Sequence, residues 1–141
     1  MMIWTQAKLL SAAVSVLAVL VCFYTGVVVG RMRSKHGIEA PAVTGAPEFD
    51  RAYRVQMNTL EQFALFLPLL WLATALPVAI AYLAPALGLV WVIGRVLYMR
   101  GYMVDPAKRS LGFTVGAVAV LGLLVLSIVG IARAWLALSS G

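Results

Sequence analysis

Polar side chains recur at helical spacing in residues 49–63, which read FDRAYRVQMNTLEQF. The members of this set, spaced by three, four and three positions, are Arg51, Arg54, Asn58 and Glu61. A helix would carry all four on one face. Guanidinium groups bind carboxylates through paired hydrogen bonds, and a carboxylate can accept an ammonium group. This set, the first polar stripe, therefore suits a small anionic ligand.

A second polar stripe begins at residue 95. Arg95, Tyr98 and Tyr102 are spaced by three and four positions, so they also share one helix face. Both stripes border long apolar segments, where an ionisable group costs roughly 2.5–3.5 kcal/mol on insertion scales. Such groups face a bundle interior, a wet cavity or a partner chain. The two stripes therefore predict one shared polar pocket.

Structural roles account for the same residues equally well. The arginines of the first stripe can extend to lipid headgroups, and Glu61 can pair with Arg95 between two helices. The tyrosines can belong to an aromatic belt at the membrane interface, as Trp4 and Trp135 are expected to do at the other face. The residues alone leave the pocket and these roles open.

The composition places both stripes in a membrane protein. Of the 141 residues, 63% are hydrophobic and 11% charged, whereas about a quarter are charged in soluble domains. Uncharged apolar runs at 9–29 and 111–132 each match the ~20 residues that cross a bilayer. A third stretch, 62–94, has 33 uncharged residues. As one helix it would measure about 50 Å, so a turn is expected near Pro77 and Pro85.

The sequence therefore predicts an all-α integral membrane protein, a four-transmembrane-helix bundle that forms a single domain over residues 1–141. The expected helices cover residues 6–30, 48–76, 79–104 and 110–138, with a charged loop at 31–47. Pro47 suits the first turn of the second helix. The first apolar run is too long for the apolar region of a signal peptide, so we expect it to remain as a helix.

Basic residues set the expected orientation. Nine of the eleven Lys and Arg residues lie around the loop between helices one and two or around the link between helices three and four. Lys8 and Arg133 lie near the opposite ends. By the positive-inside rule both charged loops, and the pocket with them, face the cytoplasm, so a bacterial chain would lie in the inner membrane. The net charge of +6 then reflects topology and contact with anionic lipids, and no nucleic-acid partner is expected.

Other residue types exclude several chemistries. Cys22 is the single cysteine and His36 the single histidine, so the sequence has no cluster with metal-ligand spacing and no metal is expected. The GxxxG patterns at 26–30 and 112–116 lie in apolar segments. They predict close helix packing, because no strand precedes them and no Lys-Ser/Thr pair follows, as a phosphate loop requires.

Two segments, PEFDRAYRVQMNTLEQF and GRVLYMRGYMVDPAKRSLGF, closely resemble the MAPEG family, the membrane-associated proteins of eicosanoid and glutathione metabolism. GRMR after the first helix fits the same pattern. The resemblance covers nearly the whole chain and points to a bacterial member of the microsomal glutathione transferase and leukotriene C4 synthase type. It implies a homotrimer of four-helix subunits that binds glutathione between neighbouring subunits, near the cytoplasmic side.

The resemblance also implies roles for individual residues. Arg109 matches the arginine that activates the thiol. The positions that match glutathione contacts are Arg54, Gln56, Asn58, Glu61, Tyr98, Tyr102 and Ser110. In the family, an arginine of the first loop reaches the ligand from a neighbouring subunit. Arg31 and Arg33 both match it, and Arg33 is favoured. Gln62 stands where some members have tyrosine.

The implied function is a glutathione transferase or peroxidase with glutathione as co-substrate. The glutathione thiolate would attack a lipophilic electrophile or a lipid hydroperoxide, in detoxification or lipid metabolism. A non-catalytic lipid-binding member is the alternative within the family, and the presence of Arg109 and both tyrosines favours the enzyme. A small proton-coupled exporter would need a carboxylate near the membrane midplane. Glu61 is the sole candidate, and it lies among arginines close to the charged end.

Overall fold

The computed structural model describes residues 5–140, so Trp4 and its expected interfacial position lie outside the described residues. The described part forms four long helices, joined by loops and one short 3₁₀ helix. In chain order they are α1 (Gln6–His36), α2 (Pro47–Ala75), α3 (Leu83–Val104), the 3₁₀ helix (Pro106–Arg109) and α4 (Ser110–Ser139). This architecture confirms the prediction of an all-α fold with four helices.

Three of these helices are long and apolar enough to cross a membrane: α1, α3 and the continuous segment from Pro106 to Ser139. The second helix differs because its first half carries the first polar stripe. Its 29 residues still measure about 43 Å, which exceeds a hydrocarbon core of ~30 Å. Because α1 and α3 both end at the charged end of the bundle, α2 must carry the chain back between them. The protein is thus an all-α membrane protein.

Contacts at both ends establish that α1 and α2 are antiparallel along their whole length. Near the uncharged end, the hydroxyls of Ser11 and Thr74 lie 2.8 Å apart. At the charged end, Glu48 accepts hydrogen bonds from Lys35 and His36. The hydrogen bond from Lys35, and to a smaller extent that from His36, lowers the pKa of Glu48 below its usual range. These contacts therefore connect the residues just before the loop of residues 37–46 to a residue just after it.

The main apolar core takes buried residues from all four helices and includes a ring contact between α2 and α3. The rings of Phe66 and Trp91 stack with their centroids 4.0 Å apart, and both side chains are fully buried. Leu70 from α2 and Leu123 from α4 pack into the same cluster. This core fixes the rotation of α2 and α3, and so it determines which way their polar stripes face.

Glycines bring α3 and α4 into backbone contact. A Cβ at Gly112 would lie 2.1 Å from the amide nitrogen of Tyr98, and one at Gly94 would lie 2.7 Å from the amide nitrogen of Gly116. The 112–116 pattern therefore packs two helices closely, as expected. Because Gly112 lies three residues after Arg109, this contact also sets the distance between Arg109 and α3.

The charged loop is shorter than predicted, because α1 continues to His36 and residues 31–36 are helical. The helix ends where Gly37 adopts a left-handed conformation with φ of 63°, and the Gly37 N–H bonds to the carbonyl of Arg33. Residues 31–36 contain no breaker, and basic side chains in a last turn favour the helix dipole.

The third helix starts later than predicted, at Leu83 instead of residue 79. Pro85 is its third residue, and a proline is tolerated there because the first-turn N–H groups have no partner within the helix. The prolines of this connection therefore allow both the turn and the start of α3.

Candidate functional site

A hydrogen-bond chain that begins at a buried arginine links α3 to α2 at the centre of the site. Arg95 is 2% exposed, and its guanidinium donates to the side-chain oxygen of Asn58 across 3.1 Å. The amide nitrogen of Asn58 in turn donates to a carboxylate oxygen of Glu61 at 3.4 Å. Glu61 and Arg95 are therefore bridged by an amide, and the direct ion pair considered from sequence does not form. Both ion pairs found within residues 5–140 involve Glu48.

Aromatic rings continue this chain toward the start of α4. The guanidinium carbon of Arg95 lies 4.1 Å from the ring centre of Tyr98, and the rings of Tyr98 and Tyr102 are 5.5 Å apart. The guanidinium carbon of Arg109 lies 5.8 Å from the ring centre of Tyr102. These separations are within the range of cation–π attraction. Two cations thus flank a tyrosine pair, which places positive charge at both ends of the second stripe.

A hollow of about 210 Å³ opens in front of these groups, and it is lined by Asn58, Tyr98, Arg109 and Phe113. The three helices α2, α3 and α4 and the short 3₁₀ helix contribute one residue each. Its polar groups are an amide, a phenol and a guanidinium, and its apolar wall is the ring of Phe113. Arg109 forms no ion pair with any residue that the structure describes. Its charge is therefore available to an anion in the hollow.

A larger hollow of about 460 Å³ adjoins Tyr102 on the side of the 37–46 loop. Its charged lining residues are Asp50, Arg51 and Arg54, all from the first turns of α2. The loop contributes Val43 and Thr44. Because Tyr102 borders this hollow and its ring contacts that of Tyr98 in the smaller one, the two hollows are neighbours along α2.

The site residues differ in exposure. Arg95, Tyr98 and Tyr102 are buried, whereas Arg54, Glu61, Arg109 and Ser110 are exposed. The second stripe is thus the floor of the site, and the exposed groups form its edge. Exposed charges on α2 and at the 3₁₀ helix before α4, next to apolar helix surface, require cover by a ligand, water or another chain.

Three of the expected contact residues lie apart from the two hollows. Gln56 faces α1, since its amide nitrogen would lie 3.1 Å from a Cβ at Gly26. Arg33 covers the ring of Phe49, with its guanidinium carbon 4.7 Å from the ring centre. Ser110 lies next to Arg109 but does not line either hollow. Within one chain, therefore, Arg54, Asn58, Glu61, Tyr98, Tyr102 and Arg109 come together, and Gln56, Arg33 and Ser110 do not join them.

The sequence predicts Arg95 as one member of the second stripe, but not its central contacts to Asn58 and Tyr98. It does not predict Phe113 as a lining residue of the site. The helical spacing of Arg95, Tyr98 and Tyr102 was a sufficient signal for Arg95, because it placed the arginine on the face of the two tyrosines. Phe113 follows Arg109, the residue before α4, by four positions, so the sequence places it close to the face of a predicted site residue.

Comparison with known proteins identifies the family of this four-helix arrangement. Microsomal glutathione S-transferase 2 of Homo sapiens is 38% identical over 129 residues, which cover 92% of this chain and 86% of the relative. Leukotriene C4 synthase of Cavia porcellus is 39% identical over 123 residues, covering 86% and 80%. An uncharacterized protein of the cyanobacterium Synechocystis is 42% identical over 122 residues, covering 86% and 88%. The sequence model of the MAPEG family matches residues 11–129, and the chain therefore belongs to the MAPEG family.

Proposed function

We propose that this protein is a membrane-embedded glutathione transferase, which binds glutathione and activates its thiol for attack on a lipophilic electrophile. The observation that carries the proposal is the position of Arg109. Its cation lines one hollow with Tyr98 and Asn58 and has no anionic partner among the described residues. Relatives named for glutathione transfer and leukotriene C4 synthesis, at 35–39% identity, support the same chemistry.

Each polar group of the site has a part in binding this tripeptide. Arg54, on the wall of the larger hollow, pairs with a carboxylate of glutathione through its guanidinium fork. Glu61, held by Asn58, accepts the ammonium group. Asn58 and Tyr98 border the smaller hollow, where the thiol lies next to Arg109.

The electrostatic field of Arg109 produces the nucleophile. A free thiol with a pKa of about 8.5 is only a few per cent thiolate at neutral pH, and the thiolate is the reactive form. A fall of about 2 in this pKa requires ~2.7 kcal/mol of preferential stabilisation of the anion. A guanidinium close to sulfur in a site of reduced dielectric can supply that amount. Arg109 keeps its proton throughout, and the thiol proton passes to water.

The thiolate then reacts with an apolar molecule that enters from the bilayer past Phe113. With an electrophilic carbon, sulfur forms a new S–C bond and the leaving group departs with its electron pair. With a lipid hydroperoxide, sulfur bonds to the terminal oxygen as the O–O bond breaks, and the departing alkoxide takes a proton to become an alcohol. The thiol of a second glutathione then attacks the resulting sulfenic acid, which forms the disulfide and releases water. The same activated thiol serves both reactions, so peroxidase activity is an extension of the proposal.

The active unit is a homotrimer with sites between subunits. Two observations support this assembly. The charges of Arg54 and Glu61 are exposed in a single chain beside apolar helix surface, which is costly unless another chain covers them. Arg33 and Gln56, expected at the same ligand, line neither hollow of their own chain, so they can contribute to a site only in a neighbouring subunit. A stable monomer in mild detergent, measured by mass, would rule out both the trimer and the shared site.

Glutathione binding to the detergent-purified protein tests the proposal directly. Calorimetric titration with glutathione should give saturable binding, and a thiol without the peptide carboxylates, such as cysteamine, should bind far more weakly. Absence of glutathione binding to a correctly assembled protein would overturn the assignment. A preference for another low-molecular-weight thiol would correct the co-substrate and leave the role of Arg109 in place.

A further inference from the structure

An apolar groove runs between α1 and α3, on the side of α3 that faces away from the candidate site. It consists of two adjoining hollows of about 320 and 370 Å³, which share Tyr24 and Met99 as lining residues. The floor of the first hollow includes Val21, Val92 and Val96. None of the residues of the two polar stripes lines it. We call this surface the α1–α3 groove.

The length of the α1–α3 groove matches one leaflet of a bilayer. Along α3 its lining runs from Val92 to Val104, twelve residue steps or about 18 Å of helix axis, and Arg100 lies about 12 Å along the axis from Val92. Half of a ~30 Å hydrocarbon core is about 15 Å. A single acyl chain from the leaflet at the charged end of the bundle can therefore lie along the groove, with its methyl end near Val92.

A positive charge marks only one end of the groove. Arg100 lines the second hollow, is exposed, and lies one turn before the end of α3 at Val104. No residue that the structure describes forms an ion pair with it. From this position its long side chain reaches the headgroup region. Tyr24 lines both hollows, and its hydroxyl makes no hydrogen bond within residues 5–140. Both groups are therefore available to the polar part of a ligand.

The chemistry of this surface favours lipid over a second copy of the chain. The groups that require protein cover are the exposed charges of α2, such as Arg54 and Glu61, and they lie away from the groove. The groove side of α1 is apolar, with Leu17 and Leu20 exposed by 42% and 56%, as expected for contact with acyl chains. We propose that the α1–α3 groove is a binding site for an anionic phospholipid of the bilayer, with one acyl chain in the groove and the phosphate at Arg100.

Native mass spectrometry of the detergent-purified protein tests this site. Equimolar phosphatidylglycerol and phosphatidylcholine with the same palmitoyl and oleoyl chains compete for binding. Phosphatidylglycerol should be retained in about fivefold excess, since one basic residue near a surface contributes ~1 kcal/mol to the binding of anionic lipid. Arg100→Gln should abolish the preference, and Arg100→Lys should keep it. The matched control is Arg133→Gln, near the end of α4 on the opposite side of the membrane from Arg100. It should leave the preference for phosphatidylglycerol unchanged.

A second variant tests the acyl-chain position. Val96→Trp fills the floor of the groove and should reduce retention of both lipids, while glutathione binding, measured in parallel, stays unchanged. Equal retention of the two lipids by the parent protein would overturn the proposal, as would a preference that survives Arg100→Gln. Efficient disulfide formation between copies carrying Leu20→Cys and Cys22→Ala would also overturn it, because a second chain would then cover the groove. Glutathione binding is a separate readout, so failure of the lipid site does not bear on the proposed enzyme.

Discussion

Arg95 of α3 holds Asn58 of α2 through a hydrogen bond of 3.1 Å, made by a guanidinium whose residue is only 2% exposed. This contact fixes the orientation of the Asn58 amide. Its oxygen accepts from Arg95, so its N–H group is directed to Glu61. The same guanidinium lies over Tyr98. One buried cation therefore positions an amide, a carboxylate and a phenol of the candidate site.

The coupling between Arg95 and Asn58 should be measurable as stability. In a double-mutant cycle of Arg95→Met and Asn58→Leu, we expect an interaction free energy of about 1.5–3 kcal/mol, the range for hydrogen bonds to charged groups. Unfolding by denaturing detergent measures each variant. Arg100→Met is the matched control, because Arg100 lies on the same helix, is exposed and should show no coupling to Asn58. Additive effects for Arg95 and Asn58 would contradict the assigned contact.

The close contact of α3 and α4 should be sensitive to a single methyl group. In Gly112→Ala the new Cβ would lie 2.1 Å from the backbone nitrogen of Tyr98. Because backbone cannot move aside as a side chain can, the helices must separate, at a cost of roughly 1–3 kcal/mol. Arg109 should move away from Tyr102 as a result.

Gly116→Ala, one turn further along α4, is the control for that substitution. Its Cβ would meet only the Trp91 side chain, at 3.9 Å, so its stability should equal that of the parent or exceed it slightly, by up to about 1 kcal/mol. Thermal unfolding and conjugation rate are the measurements. Equal effects of the two substitutions would show that this packing does not position Arg109.

Arg54 should contribute to ligand affinity more than to chemistry. Arg54→Ala removes a charge-assisted contact to a carboxylate that glutathione makes both before and during reaction. We expect binding to weaken by about 1.5–3 kcal/mol, or 10- to 150-fold in Kd, with a smaller change in kcat. Titration calorimetry and steady-state kinetics separate the two quantities. A fall in kcat with unchanged Kd would instead assign Arg54 to the chemical step.

The orientation in the membrane should follow the basic residues. Both charged loops are expected on the cytoplasmic side, and the end of α4 on the outer side. In a Cys22→Ala background, His36→Cys should resist an impermeant thiol reagent applied to intact cells, and Ser140→Cys should react. The reverse labelling pattern would place the site on the outer face.

Periodicity was sufficient to predict four helices and both polar stripes, because apolar runs and three- or four-residue spacings are local properties. Periodicity also indicates that Gln56 lies on a different face of α2 from Arg54 and Asn58. Gln56 is two positions from Arg54 and from Asn58, which is about 200° around a helix. The family resemblance groups Gln56 with Arg54 and Asn58 as glutathione contacts, whereas in the structure the side chain of Gln56 lies next to Gly26 of α1.

Other features depended on tertiary packing. The burial of Arg95 results from the rotation of α3 that the Phe66–Trp91 stack imposes. The end of α1 at His36 results from the left-handed conformation of Gly37, and a glycine in the sequence does not specify that conformation. The two hollows arise where three helices and a loop meet, so no single segment predicts them.

The ultraviolet absorbance of bound glutathione thiolate, followed against pH, tests the role of Arg109 most directly. In the parent protein the bound thiol should titrate well below the usual pKa of about 8.5, because the Arg109 cation stabilises the anion. Arg109→Ala should return that pKa toward the usual value, Arg109→Lys should restore part of the shift, and Lys108→Ala, the neighbouring cation, should leave it unchanged. An unchanged thiol pKa in Arg109→Ala would contradict the account and would assign thiol activation to another group of the site.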